Sequence, residues 1–275
     1  MSRRFRNDFI NEESFGAEIN PCAEVAATTV PMDNGFTYNQ VGAAGTLQAG
    51  DTFEGMWLAS TTGGAAEIGL LSTTNEIFNF TIGQPIRFIA DITFQLLATE
   101  LNLFVGCGNA MATAMTITAG GGMKATGDHF GFYTPDSSST VFVAPREDER
   151  MYAVSQHNGT AIVTELSAAN TITRQDYDVA VGTRYQLQAD FVPTGNIGGT
   201  GGVTIFDADI EFRIDGFLVA VHHHSAGAGG GIAITVANTT LMQFGIYHEN
   251  ITDICTYEIR QAKCRQLRAL SQFGE

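Results

Sequence analysis

Short stretches of alternating hydrophobic and polar residues dominate the chain from about Asp51 onward. Side chains alternate between the two faces of a strand, so this pattern predicts strands that bury one face. The strands follow one another at roughly 10-residue spacing, which is typical of a β-sandwich or barrel. The predicted strands are EIGLLST, EIFNFTIG, IRFIADITFQLL, LNLFVGCG, AMTITAGG, HFGFYTP, TVFVA, RMYAVSQ, AIVTEL, RYQLQADFV, TIFDADIEFRI, FLVAVHH, IAITVA, LMQFGIY and CTYEIRQ.

The strand pattern predicts one all-β domain over residues 46–259, because these strands follow one another without a clear linker. Residues 1–45 contain turn formers and little periodicity, which predicts an extended N-terminal arm. Residues 260–275 form a short basic C-terminal tail, in which RQAKCRQLRALSQF indicates an amphipathic helix with Leu267 and Leu270 facing inward.

The segment from Asp207 to Gly231 combines an acidic strand, an Asp-Gly pair, three histidines and a glycine-rich stretch. Asp-Gly between two alternating strands predicts a hairpin with a type I′ turn, which needs positive φ at both central residues. Phe212 and Ile214 are then expected to pair near Phe217 and Val219. Glycine-rich residues 196–202 and 225–231 are predicted to be loops.

The same hairpin has a family resemblance. A strand ending in FRIDGFLVAV, after YQLQADFV and before LMQFGIYHENITDICTYEIRQAKCRQ, resembles the last part of concanavalin A-like (laminin-G-like) β-sandwiches. At the level of strand order the resemblance covers residues 50–262, and it implies a two-sheet antiparallel jelly-roll sandwich. Lectins, glycanases and virion proteins share this fold, so the resemblance alone does not select a function.

The acidic strand offers a candidate catalytic carboxylate pair. DADIE resembles the Glu-x-Asp-x-x-Glu strand of glycanases on this fold, but Asp207 stands where their nucleophilic glutamate would be. Strand geometry separates Asp207 from Glu211 by about 13 Å, whereas a retaining pair needs about 5–5.5 Å. We therefore expect a solvated polar face and no enzyme activity.

The three histidines offer a candidate metal site. His222 and His224 share one face of the predicted strand, and His248 or Glu249 is a conceivable third ligand. A pH-responsive contact is a second alternative. Because histidines beside a glycine-rich loop are usually exposed, we predict an exposed His-rich loop and no bound metal or cofactor. REDER and TPDSSS show no recognisable calcium-ligand spacing.

Charge is distributed unevenly along the chain. The formal net charge is −15, and residues 7–259 hold seven basic and 28 acidic residues, which disfavours nucleic-acid binding. The two basic ends suit contact with an acidic surface of a partner, although solvated termini are the alternative. The predicted contact residues are Arg3, Arg4, Arg6, Arg260, Lys263, Arg265 and Arg268.

The expected location follows from the absence of sorting signals in this sequence. The basic start lacks the apolar region of a signal peptide, and no apolar run approaches a membrane span. The four cysteines are scattered and form no CxxC pair, so we expect synthesis in a host cytoplasm with reduced thiols.

Three functions compete on these observations. The composition, the predicted arm and the absent catalytic set favour a virion structural protein of a tailed bacteriophage. In this role the chain would be a decoration (cement) protein on the capsid exterior, which binds the major capsid protein and stabilises the shell. We expect it to be a homo-oligomer, with a trimer favoured. The alternative is a carbohydrate-binding, lectin-like module, which could also sit on a virion and contact host glycans, with a glycan site near Asn158 or Tyr133. A glycan hydrolase is the third and is disfavoured by the geometry of the acidic strand.

Overall fold

The protein is represented by a computed structural model in which nearly all described residues belong to strands. The structure describes residues 14–19, 30–31, 36–41, 46–49, 57–60, 67–73, 75, 77–80, 84–96, 101–109, 111, 127–134, 150–157, 160–198, 203–225, 231–235, 241–250 and 256–267.

Seventeen strands are present in these residues. In chain order they are β1 (Ser14–Ile19), β2 (Val30–Pro31), β3 (Phe36–Val41), β4 (Thr46–Ala49), β5 (Trp57–Ser60), β6 (Glu67–Thr73), β7 (Ile86–Leu96), β8 (Leu101–Gly108), β9 (His129–Thr134), β10 (Tyr152–His157), β11 (Thr160–Glu165), β12 (Arg184–Gly198), β13 (Val203–Ile214), β14 (Phe217–His224), β15 (Ile232–Thr235), β16 (Gln243–Asn250) and β17 (Thr256–Leu267).

The strands form two antiparallel sheets. The nine-stranded sheet has the order β14-β13-β12-β7-β17-β5-β4, with β1 also paired to β17 and β15 to β13. The eight-stranded sheet has the order β11-β10-β9-β8-β16-β6-β3-β2. Many neighbours are distant in sequence, as in a jelly roll, so the predicted two-sheet antiparallel fold is confirmed.

The core lies between the sheets and is rich in phenylalanine. Phe88 of the nine-stranded sheet has its ring centroid 5.8 Å from Phe130 and 5.5 Å from Phe244, both of the eight-stranded sheet. Phe132 and Phe212 meet edge to face across the same space at 5.5 Å. All five side chains are buried. Burial of each such ring contributes on the order of 1.5–3 kcal/mol, so this cluster contributes strongly to cohesion between the sheets.

A second apolar cluster covers the outer face of the eight-stranded sheet. Its buried members are Leu70, Phe104, Met111, Tyr133, Tyr152, Val154 and Tyr247. The Phe104 ring lies over two glycines of adjacent strands, because a Cβ atom at Gly106 would be 2.8 Å from that ring and one at Gly131 would be 3.0 Å from it. Both faces of this sheet are therefore packed at the strands that carry these residues.

Several predicted elements differ in the structure. The segment EIFNFTIG has only an isolated bridge, between Phe78 and Met242, among its described residues. β12 continues to Gly198 through register shifts after Pro193, so the first part of the predicted loop 196–202 is strand. The predicted strands AMTITAGG and TVFVA lie outside the described residues.

Parts of the predicted arm and tail belong to the sheets. β1 pairs with β17, and β3 pairs with β6, although both lie within the predicted arm. The helix prediction is wrong for residues 260–267, which complete β17; the remainder lies outside the described residues. Alternate residues of this segment are buried, namely Ala262, Cys264 and Gln266. Because these residues are small or polar, their period of two does not stand out in the sequence as that of a core strand.

Candidate functional site

The β13–β14 hairpin has the predicted turn and one feature that the pattern did not predict. Asp215 and Gly216 have φ values of 51° and 83°, as a type I′ turn requires. Ile214 pairs with Phe217 as expected. After Arg213 pairs with Leu218, Phe212 pairs with Ala220, which leaves Val219 as the extra residue of a β-bulge.

The bulge decides which histidines enter the core. Beyond an extra residue the alternation of a strand changes face, so Ala220, His222 and His224 point between the sheets. His222 and His224 are each 2% exposed, whereas the side chain of His223 is 72% exposed. The prediction of an exposed His-rich loop is therefore wrong for His222 and His224 and fits only His223.

The two buried histidines share one serine of the facing sheet. Ser155 Oγ lies 2.8 Å from His222 Nδ1 and 2.9 Å from His224 Nε2. A hydroxyl donates one hydrogen bond and accepts others, so one imidazole accepts from Ser155 while the other donates to it. His222 Nε2 lies 3.1 Å from Thr164 Oγ1, which ties β14 to β11 as well as to β10.

Burial keeps His222 neutral. The pKa of His222 is lowered to about 3, first because burial penalises the charged imidazolium, and then because His224 and His223 carry charge of the same sign when protonated. The one histidine of β10, His157, is also buried, and its Nδ1 lies 2.8 Å from Asp128 Oδ1. These contacts place buried, hydrogen-bonded polar side chains between β14 at the edge of one sheet and β10 and β11 at the edge of the other.

The structure does not bring the candidate metal ligands together. His248 and Glu249 lie on β16, whose partners are β6 and β8, whereas His222 and His224 lie on β14 beside β13. Within the described residues, no group of three or more histidine, cysteine, aspartate or glutamate side chains is arranged to hold a metal ion. The other candidate calcium segments fall mostly outside the described residues.

The outer face of the nine-stranded sheet carries a network of planar polar side chains around Asp190. Asp190 is only 4% exposed and receives a two-pronged ion pair from Arg87. Its Oδ2 also accepts hydrogen bonds from Arg213 Nη1 at 3.0 Å and Gln188 Nε2 at 2.8 Å. Arg213 continues the network to Glu211 Oε2 at 2.5 Å.

The network is interlinked by hydrogen bonds yet reachable from solvent. The side chains of Arg87, Arg213 and Glu211 are 22%, 25% and 33% exposed, respectively. At the edge of this face, His223 Nδ1 lies 2.8 Å from Asp209 Oδ1, which fixes the exposed imidazole. We call Arg87, Gln188, Asp190, Asp209, Glu211, Arg213 and His223 the polar face.

The acidic strand predicted from sequence forms part of this face. The buried residues Phe206, Ala208, Ile210, Phe212 and Ile214 alternate with it, as predicted. β13 has no extra residue between Asp207 and Glu211, because its residues 207–211 pair one after another with β12, and the register shift opposite Asp207 and Ala208 places the extra residue, Thr194, on β12. This described stretch of β13 therefore has no bulge that would bring Asp207 and Glu211 together, and the Glu211 carboxylate forms an ion pair with Arg213.

The predicted contact residues do not form one described cluster. Arg260, Lys263 and Arg265 lie on β17, where Lys263 pairs with Ile89 and Arg265 with Arg87. Arg3, Arg4, Arg6 and Arg268 lie outside the described residues. Of the residues suggested for a glycan site, Tyr133 is buried in the second apolar cluster, and Asn158 is outside the described residues.

Comparison with known proteins identifies the fold. No family model matches the chain, and no curated protein matches by sequence. A protein of unknown function from Shewanella oneidensis MR-1 is similar in structure, with a TM-score of 0.52 and 11% identity, over 95% of this chain and 90% of that chain. Peanut lectin has a TM-score of 0.51 and 10% identity over 92% of this chain and 97% of its own. Lectin II from Ulex europaeus has a TM-score of 0.50 and 6% identity over 94% of this chain and 100% of its own.

The chain therefore has the concanavalin A-like jelly-roll sandwich fold that legume lectins also have. At these identities the likeness is one of fold. Among the described residues there is no helix long and apolar enough to cross a membrane.

Proposed function

We propose that the protein is a carbohydrate-binding, lectin-like module whose sugar site is the polar face. The observation that carries this proposal is the network around Asp190, in which guanidinium, amide and carboxylate groups are fixed to one another and remain partly exposed. The lectin fold of the structural neighbours supports the same function.

The chemistry of the face suits sugar hydroxyls. Adjacent hydroxyls of a sugar ring each donate and accept, and planar side chains such as Arg, Gln and Glu offer paired donors or acceptors for them. Since Arg87 and Arg213 are already held by Asp190, a ligand would not have to order them, which reduces the entropic cost of binding.

The test is binding to an array of defined oligosaccharides, followed by titration calorimetry on any oligosaccharide that binds. Arg213→Ala removes the donor shared by Asp190 and Glu211, and we expect about tenfold weaker binding or more, since a hydrogen bond to a charged group contributes roughly 1.5–3 kcal/mol. Gln175→Ala changes an exposed residue of the loop after β11 and should leave affinity unchanged.

Two results would contradict the proposal. The first is a folded wild-type protein that binds no oligosaccharide on the array. The second is a bound oligosaccharide whose affinity is the same for the wild type, Arg213→Ala and Gln175→Ala, because the sugar would then bind elsewhere. Circular dichroism of each variant establishes that it is folded.

A further inference from the structure

Two cysteines from opposite sheets meet in the core. Cys107 lies on β8 of the eight-stranded sheet, and Cys264 lies on β17 of the nine-stranded sheet. Their sulfurs are 3.6 Å apart, although 157 positions separate them in sequence. Both residues are completely buried, and Phe130 and Phe244 flank Cys107 on the neighbouring strands.

The sulfurs lie close together, but joining them requires both the sulfurs and their two strands to approach each other. A disulfide has a sulfur–sulfur distance of about 2.05 Å, so the two atoms must approach by roughly 1.5 Å. Facing sheets pack about 10 Å apart, whereas bridged cysteines have Cα atoms about 4.4–6.8 Å apart, so β8 and β17 must also move together. Elsewhere in this core, Cα atoms of β12 and β9 already lie within 8 Å of each other.

We propose that Cys107 and Cys264 are a reversible disulfide site that links the two sheets when the chain folds in the presence of a disulfide oxidant such as glutathione disulfide. One protein thiolate attacks glutathione disulfide, forms a mixed disulfide and releases one glutathione. The second protein thiolate then attacks the protein sulfur of that mixed disulfide and releases the second glutathione. The two protein thiols are oxidised, glutathione disulfide is reduced, and the two thiol protons go to solvent or to the released glutathione thiolates.

Oxidation is coupled to folding because the native core excludes the reagent. The thiolate is the attacking species, and burial together with the neighbouring Cys107 raises the pKa of Cys264 well above its ordinary value. The native protein should therefore react slowly, while a refolding chain has accessible thiols. Since closure draws two packed sheets together, we expect a strained bond that reductants open readily.

The experiment uses the full chain with Cys22→Ser and Cys255→Ser, which leaves Cys107 and Cys264 as its two cysteines. The protein is unfolded, refolded with reduced and oxidised glutathione, and separated as monomer. We expect titratable thiols in denaturant to fall from two to none, the mass to fall by about 2 Da, and peptide mapping to join the segments that contain Cys107 and Cys264. Dithiothreitol should restore both thiols and lower the urea midpoint of unfolding.

The control protein carries Cys264→Ala in addition to the two serine substitutions. Its monomer should keep the Cys107 thiol after the same refolding, and dithiothreitol should not change its urea midpoint. Peptide mapping of the unsubstituted chain after the same refolding provides an independent readout if either serine substitution prevents folding. A folded monomer that retains both thiols would overturn the proposal, and so would cross-links found only between molecules. None of these readouts depends on sugar binding.

Discussion

Mild acid should destabilise the protein through His222. Its imidazole is 2% exposed and has a pKa of about 3, whereas an imidazole in the unfolded chain has a pKa of about 6.5. Above pH 6.5 the group is neutral in both states and has no effect. Between pH 6.5 and pH 3 the unfolded chain binds a proton that the folded protein excludes, so stability falls as the pH falls.

The size of the effect follows from the difference in pKa. Each pH unit below 6.5 lowers the free energy of unfolding by about 1.36 kcal/mol. At pH 5 the loss is therefore about 2 kcal/mol, and by pH 3 it approaches about 5 kcal/mol. Since a typical domain is stable by only about 5–15 kcal/mol, this single residue is a major determinant of acid sensitivity.

Urea unfolding at pH 7 and pH 5 measures this loss. His222→Gln keeps a polar side chain beside Ser155 but has no group that titrates in this range, so its loss between the two pH values should be smaller than that of the wild type by about 2 kcal/mol. The comparison uses differences between pH values, so any packing defect of the variant at pH 7 cancels.

His223→Gln is the matched control, because His223 is the exposed neighbour on the same strand. Between pH 7 and pH 5, this variant should lose as much free energy of unfolding as the wild type does. If His222→Gln loses as much stability as the wild type between pH 7 and pH 5, then His222 is not held neutral by burial and the reasoning fails.

Three further predictions concern the fold. Ser155→Ala leaves buried imidazole nitrogens without their shared partner and should lower the free energy of unfolding by about 1–3 kcal/mol, measured by urea unfolding at pH 7. Gly106→Ala places a methyl group 2.7 Å from the Cα atom of Gly131 and 2.8 Å from the Phe104 ring, and should cost about 1–3 kcal/mol in the same assay. Removal of residues 260–275 deletes most of the pairing of β17 with β7 and β1 and should abolish folding, as judged by circular dichroism.

The hairpin shows which parts of the fold can be predicted from local patterns. Asp215-Gly216 predicts the turn because few residue pairs adopt positive φ twice, and the alternation of β13 predicts its buried face. The bulge at Val219 has no comparable signal, since the alternating Phe217, Val219 and Val221 favour a regular strand. The face that His222 takes therefore depends on tertiary packing against Ser155 and Thr164.

β17 shows a second limit of sequence patterns. Its inward residues in the second half are Ala262, Cys264 and Gln266, and none of them has the size or apolarity that marks a core strand. Gln266 is nevertheless fully buried because its side chain exchanges hydrogen bonds with the backbone of Asn79. A polar residue satisfied by a distant segment cannot be distinguished from a solvated one in the sequence, and this explains the helix predicted there.

The same reasoning applies to the polar face. The sequence identifies Asp209, Glu211 and Arg213 as one polar side of a strand, and the structure places all three, partly buried, opposite the buried residues of β13. It does not reveal that Asp190 receives Arg87 from 103 positions away, because strand order brings β7, β12 and β13 together only in the folded sheet. A charged strand that appears ordinary in sequence thus becomes a fixed array of donors and acceptors, and that array rather than the acidic residues alone supports the proposed sugar site.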